Sequence, residues 1–122
     1  LNGDALPDLV VANAGNPDSN SFYANFGQGT SVGVLINSGQ GNFGGPNVLT
    51  AGLKSGGSAS AFAVAVADFS QDGNADIAAI VYGHPLNGTA ARVAVFKGDG
   101  GGGFAADPDS PYTTAGTGGQ YL

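Results

Sequence analysis

The chain has 122 residues, a formal net charge of −6 and no cysteine. Only Lys54, Arg92 and Lys97 carry fixed positive charge, which excludes a surface that neutralises phosphates, so we expect no nucleic-acid partner. The lack of cysteine excludes disulfides and thiolate metal sites, and no apolar run approaches the roughly 20 residues of a membrane span, so we expect no membrane insertion.

Short β-strands joined by turns are predicted throughout, because 23 glycines and 6 prolines interrupt the chain too often for long helices. Clusters of Val, Ile, Phe or Ala between turn residues predict strands at 8–13, 31–37, 47–51, 61–68, 76–82, 91–97 and 111–114. The segments SGQG and GDGGGG are predicted hairpin turns. Alternation in AFAVAVADF predicts a strand with both faces buried and its alanine face closely packed.

An internal repeat organises these strands. LNGDALPDLVVAN (1–13) aligns with FSQDGNADIAAIV (69–81) at an offset of 68, and VGVLINSGQGNF (32–43) aligns with VAVFKGDGGGGF (93–104) at an offset of 61. The offsets differ because the segment between the two blocks is longer in the first copy, as in a surface-loop insertion. Each repeat holds about four antiparallel strands, which is the size of one β-propeller blade.

The repeat predicts an all-β fold of about two four-stranded antiparallel blades. Residues 1–122 would form a single propeller segment, with repeat motifs at 1–43 and 68–104. A closed propeller needs about four to eight blades, so we expect a partial propeller. It would be either a fragment of a longer protein or a unit completed by other chains.

Oxygen-bearing residues recur through the loop DFSQDGNAD, residues 68–76. Ca²⁺ takes about six to eight oxygen ligands, and alternate residues of a curled loop can point inward together. The predicted ligands, at loop positions one, three, five, seven (through its backbone carbonyl) and nine, are Asp68, Ser70, Asp72, Asn74 and Asp76. An EF-hand is excluded, because position twelve is Ala79 rather than Glu and a strand follows the loop. A solvated acidic turn is the alternative to structural calcium.

The N-terminal copy of the loop predicts a second calcium site. Its ligands would be Asn2, Asp4, the carbonyl of Leu6, and Asp8. Ala5 stands where the other loop has Gly73, at a cost of about 1 kcal/mol if the backbone enters the left-handed region. The first ligand position would precede Leu1, so we expect this site to be weaker or unfilled.

The paired motifs resemble the FG-GAP/VCBS repeat family over nearly the whole chain. Its members combine an aspartate-rich loop with a DLVVAN-like strand and a VSVLLNNGDGTF-like hairpin. The resemblance implies a calcium-stabilised β-propeller, as in integrin α-subunit heads and many secreted bacterial proteins, at an extracellular or cell-surface location. It also implies the same calcium ligands in both loops. Ser70 and Ala5 depart from the family pattern, which has Asn or Asp and Gly there.

Three functional hypotheses follow. The first is a non-catalytic module for adhesion, recognition or assembly, with a protein or carbohydrate ligand. The second is an accessory segment of a secreted polysaccharide-acting enzyme, although one His, one Arg and no Glu are a poor supply of catalytic groups. The third is a homo-oligomer or filament formed through open sheet edges. His84 is expected to be a surface loop residue, and Phe22, Tyr23 and Phe26 either pack over the blade edge or contact a ligand.

Overall fold

The computed structural model describes residues 1–14, 31–50, 59–83 and 91–114. Every regular element in these ranges is a β-strand. The strands are β1 (Leu9–Asn13), β2 (Ser31–Leu35), β3 (Asn47–Thr50), β4 (Ala59–Ala67), β5 (Asp76–Gly83), β6 (Arg92–Gly98), β7 (Phe104–Ala106) and β8 (Tyr112–Thr113). None of the described ranges contains a helix that is long and apolar enough to cross a membrane.

The predicted all-β, antiparallel fold is confirmed. Seven of the observed strands match the seven predicted ranges to within two residues at either end. The eighth, β7, was not predicted as a strand, although its first residue ends the predicted hairpin. Three of its residues pair with β6, so its apolar stretch is too short for a sequence pattern to reveal.

The strands form two antiparallel sheets. The first sheet has the order β1-β2-β3, and the second has the order β4-β5-β6-β7 with β8 also paired to β6. In the second sheet β7 and β8 occupy one row beside β6, so the five strands fill four rows. The second sheet thus agrees with the predicted four-stranded blade, whereas the first has three strands in the described residues, and neither sheet closes on itself.

The repeat is visible in the pairing register. Val32 pairs with Leu49 in the first sheet, and Val93 pairs with Tyr112 in the second, so β8 is the counterpart of β3. The counterpart of β7 is a single bridge between Asn37 and Phe43. Both predicted hairpin turns are present, closed by hydrogen bonds from Ser38 N–H to the Asn42 carbonyl (2.8 Å) and from Asp99 N–H to the Gly103 carbonyl (3.0 Å).

One apolar core lies between the two sheets. In the first sheet β1 and β2 pair Val10 with Val34 and Ala12 with Val32, which places these side chains on one face. That face, here called the inner face of the first sheet, packs on the inner face of the second. The buried apolar residues of the core are Val32, Val34, Leu49, Ala61, Ile77, Ala79, Val81, Ala94 and Phe96.

Strand β4 corrects one sequence expectation. Its predicted burial on both faces is wrong, because Ala63, Ala65 and Val66 are exposed, whereas Ser60 and Ala61 near its start are fully buried. The pairing of β4 with β5 shifts between Ala61 and Ala63. This bulge turns the strand relative to the core. The strand also lies at the edge of its sheet, so β5 is its only hydrogen-bonded neighbour among the described strands.

Candidate functional site

The loop 68–76 connects β4 to β5 and curls tightly. Ala67 and Asp76 are the last pair of the ladder below it. Between them the backbone enters the left-handed region twice, at Gln71 (φ 60°) and at Gly73 (φ 90°). The predicted need for a glycine at position 73 is therefore met, and the second left-handed residue, Gln71, was not anticipated.

Two of the loop carboxylates hold this curl through the backbone. The Asp68 carboxylate accepts hydrogen bonds from the N–H groups of Asp72 (3.1 Å) and Gly73 (2.9 Å). The Asp72 carboxylate accepts one from the N–H of Asn74 (2.8 Å). Both side chains are exposed, and among the described residues neither takes part in an ion pair. In the described part of the chain, backbone N–H groups are therefore the hydrogen-bond partners of these two carboxylates.

Asp76 joins the loop to the end of β6. Its side chain is fully buried, with Oδ2 accepting from Ser70 N–H (2.8 Å) and Oδ1 accepting from Gly98 N–H (2.9 Å). Burial is the largest influence and raises the pKa of Asp76, but the hydrogen bonds from Gly98 and Ser70 together outweigh it, so the pKa is lowered. The ionised carboxylate is thus a structural bridge between two turns of one blade.

The N-terminal loop repeats this geometry. Gly3 (φ 76°) and Ala5 (φ 64°) are left-handed at the counterparts of Gln71 and Gly73, which confirms the expected strain at Ala5. Asp4 accepts from Leu6 N–H (2.9 Å), as Asp72 does from Asn74.

Asp8 makes the counterpart of the Asp76 bridge. Its Oδ1 accepts from Asn37 N–H at 2.8 Å, and position 37 aligns with Gly98. The hydrogen bond from the Leu1 amino group is the largest influence on Asp8 and lowers its pKa, and the Asn37 N–H adds to the shift against the opposing effect of burial.

The oxygen chemistry of both loops fits a hard cation, since carboxylate, hydroxyl and carbonyl oxygens are the ligands that Ca²⁺ prefers. The side chains are not gathered around one point, however. Within the ranges described, no three carboxylate or histidine side chains are placed to hold a metal ion together. The carboxylates of Asp68, Asp72 and Asp76 instead accept backbone N–H groups, and the Ser70 side chain bonds to Asp76. The calcium assignment stays a prediction.

Two structural residues near the loops were not singled out from the sequence. Gly98 lies against the Ala75 carbonyl, and a Cβ at this position would approach that oxygen to 2.1 Å. Asp99 caps the hairpin by accepting from the N–H groups of Gly101 (2.8 Å) and Gly103 (2.9 Å). The sequence placed both residues in the predicted hairpin turn GDGGGG, and the internal repeat aligns Gly98 with Asn37 and Asp99 with Ser38.

A groove of about 390 Å³ lies on the face of the second sheet that points away from the core. Lys97 and Asp107 form an ion pair (3.2 Å) at its border, and Phe69, Val95 and Tyr112 contribute apolar walls. The sequence did not suggest this groove. The residues predicted for surface loops, His84, Phe22, Tyr23 and Phe26, lie outside the described part of the chain.

Comparison with known proteins identifies the repeat. A family model described as an FG-GAP-like repeat matches residues 1–79, which include the first repeat motif, the whole of the second aspartate loop and the first half of β5. No curated protein and no solved structure gave a match. The matched span contains both aspartate loops, whose backbone geometry is the same in the two copies. The chain belongs to the FG-GAP-like repeat family, and it is a propeller-like repeat module.

Proposed function

We propose that this chain is a non-catalytic, Ca²⁺-stabilised extracellular propeller module used for adhesion, recognition or assembly. The observation that carries the proposal is the duplicated aspartate loop. Asp4 and Asp72, and likewise Asp8 and Asp76, occupy matching positions in loops of matching backbone shape. Two independent copies of an exposed, oxygen-rich loop support a ligand that needs such oxygens.

Calcium would be held in the second loop by Asp68, Ser70, Asp72, the carbonyl of Asn74, and Asp76. The first loop would use Asn2, Asp4, the carbonyl of Leu6, and Asp8. When bound, the ion would supply the positive charge that the exposed carboxylates lack among the described residues. Calcium-binding loops of extracellular modules typically have dissociation constants of about 10⁻⁴ to 10⁻³ M, so an extracellular location would provide enough of the ion.

The proposal that the module is non-catalytic rests on the lowered pKa values of four aspartates. The pKa of each of Asp8, Asp76, Asp99 and Asp107 is lowered by hydrogen bonds to N–H or amino groups. A general acid or base works best with a pKa near the operating pH, and these groups are shifted in the opposite direction. They are suited to holding turns together at neutral pH.

The test is a thermal melt in millimolar CaCl₂ and in EDTA, with calcium binding measured directly by calorimetry. At 10 times the dissociation constant, calcium should add about 1.4 kcal/mol, a Tm shift on the order of 5 °C. Asp72→Asn removes a charge but keeps an acceptor for the Asn74 N–H, so it should reduce the calcium-dependent shift without unfolding the loop.

The matched control is Asp109→Asn, which removes the same charge from an exposed position outside both loops. It should retain the full calcium-dependent shift. Equal melting temperatures in calcium and EDTA, together with no heat of binding at millimolar calcium, would contradict the proposal. Magnesium should replace calcium poorly, because it demands a stricter octahedral geometry.

A further inference from the structure

The face of the second sheet that points away from the core is apolar and resembles the face of the first sheet that is buried in the core. Here it is called the outer face of the second sheet. The register pairs Ile80 with Val93, Val93 with Tyr112, and Ala78 with Val95, which places all five side chains on this face. With Phe69 in the adjoining loop, they line most of the 390 Å³ groove and its surroundings.

Each of these residues aligns with one that packs on the core from the first sheet. At the offset of 68, Phe69, Ala78 and Ile80 align with Leu1, Val10 and Ala12. At the offset of 61, Val93 and Val95 align with Val32 and Val34, and Tyr112 has the pairing position of Leu49. The first-sheet residues are buried or partly buried against the second sheet. The outer face of the second sheet therefore repeats a surface that already packs on a sheet.

The complementary surface is also duplicated. Ile77, Ala79 and Phe96 of the second sheet are buried at the core, and they align with Leu9, Val11 and Leu35 of the first. Phe104, which packs against the core, aligns with Phe43. Leu9, Val11 and Phe43 are exposed on what is here called the outer face of the first sheet. The two sheets therefore pack through non-equivalent faces, because the second sheet buries the face that the first sheet leaves exposed.

We infer that a second copy of this chain docks head to tail, with its first-sheet outer face on the second-sheet outer face described here. The contact repeats, between copies, the packing already present between the two sheets within one copy. The interface is heterologous, so it leaves one matching face exposed on each partner and continues into a ring or a filament. It uses sheet faces, whereas the sequence suggested association through sheet edges.

The charges of the two faces are compatible with this contact. Strands β1, β2 and β3 carry no charged residue. On the second sheet Lys97 replaces the aligned Ile36, and its charge is neutralised by Asp107 at 3.2 Å. The net charge of −6 on each copy opposes association at low salt, so the assembly should be stronger at higher ionic strength.

The test measures the mass of the 122-residue chain by light scattering and sedimentation, over a concentration series up to about 1 mM and at two salt concentrations. The wild-type mass should rise in steps of 11.8 kDa. Ile80→Asp blocks the second-sheet outer face, and Val11→Asp blocks the first-sheet outer face. Both side chains are exposed in a single copy, at 41% and 43%, so neither variant buries a charge within its own fold.

Each variant alone should remain a monomer, because its intact face finds no intact partner. An equimolar mixture should form a 1:1 dimer and stop there, since the remaining faces are both blocked. The control Gly45→Asp adds the same charge in open space between the hairpin and β3, and it should assemble like the wild type.

Three results would overturn the inference. They are a wild-type chain that remains monomeric at 1 mM, a single variant that still dimerises, and a mixture of folded variants that does not associate. Circular dichroism of each variant establishes that it is folded. Repeating the series in EDTA separates this inference from the calcium proposal. The predicted ligands Ser70 and Asp76 border the groove, but the apolar side chains that form the contact are not predicted ligands, so assembly should persist in EDTA.

Discussion

Gly98 allows the end of β6 to approach the β4–β5 loop closely. A side chain there would meet the Ala75 carbonyl at 2.1 Å, and a backbone atom cannot move aside as a flexible side chain does. The aligned position in the first repeat is Asn37, which has a side chain. That side chain donates a hydrogen bond to the neighbouring Pro7 carbonyl at 3.0 Å. The sequence could align these two positions, but it could not show that each lies against a carbonyl from the neighbouring loop.

Gly98→Ala is therefore expected to destabilise the fold by about 1–3 kcal/mol, in the range of other overpacked positions. The loss would be measured by chemical denaturation. Gly45→Ala is the control, because nothing lies within 4 Å of a Cβ at that position, and it should change stability by no more than about 0.5 kcal/mol. Equal stabilities of the two variants would show that the carbonyl contact is absent in solution.

At the scale of the element, the blade is held together by a buried carboxylate as well as by its strand ladder. Asp76 ties the β4–β5 loop to the end of β6 by accepting from Ser70 and Gly98. The sequence indicated that this aspartate mattered, and it assigned the residue to calcium. Its structural bonds could not be predicted, because the two donors lie six positions before it and 22 positions after it and meet only in the folded blade.

Asp76→Asn should cost about 1–3 kcal/mol at pH 7, because an amide presents one acceptor oxygen and turns its NH₂ group toward the other donor. The pKa of Asp76 is lowered in the folded state, so the stabilisation by its ionised form is present above the unfolded pKa of about 3.9. It is lost as the pH falls through the folded pKa. The stability gap between wild type and variant should therefore narrow in acid.

The measurement is urea unfolding of both proteins at several pH values between about 2 and 7. The difference in unfolding free energy between the two proteins cancels the contributions of Asp8, Asp99 and Asp107, whose pKa values are also lowered. Asp109→Asn, at an exposed position, controls for the loss of charge. A gap that stays constant across this range would contradict the role assigned to the ionised side chain.

At the scale of the whole molecule, the two sheets share one core and should unfold together. Ile77 is fully buried between them, while Ile80, three residues along β5, points to the outer face. Ile77→Val should cost about 0.5–1.5 kcal/mol, and Ile80→Val should cost much less. Both are measured at concentrations where the chain is monomeric.

The cooperative behaviour can be followed by amide hydrogen exchange. Ile77→Val should speed exchange at Val32 and Val34 in the first sheet as well as in the second, because all three side chains belong to the same core. Faster exchange confined to the second sheet would show that the sheets open independently.

Strand positions, antiparallel pairing and blade size could be predicted because they depend on local patterns of apolar and turn residues. The way in which the sheets stack could not. Residues such as Val93 and Ile80 are apolar in the sequence whether they face a core or a surface, and only the register shows that their counterparts in the first sheet are the buried ones. The bulge in β4 was missed for a similar reason, since nothing in an alternating run marks where the alternation slips.

The two aspartate loops distribute their glycines differently. The first places Gly3 before Ala5, and the second places Gln71 before Gly73, yet all four residues share one backbone handedness. One flexible residue at either position, paired with an ordinary one at the other, is thus enough to make the bend. A sequence search that requires glycine at one fixed loop position would therefore find one of the two aspartate loops and miss the other.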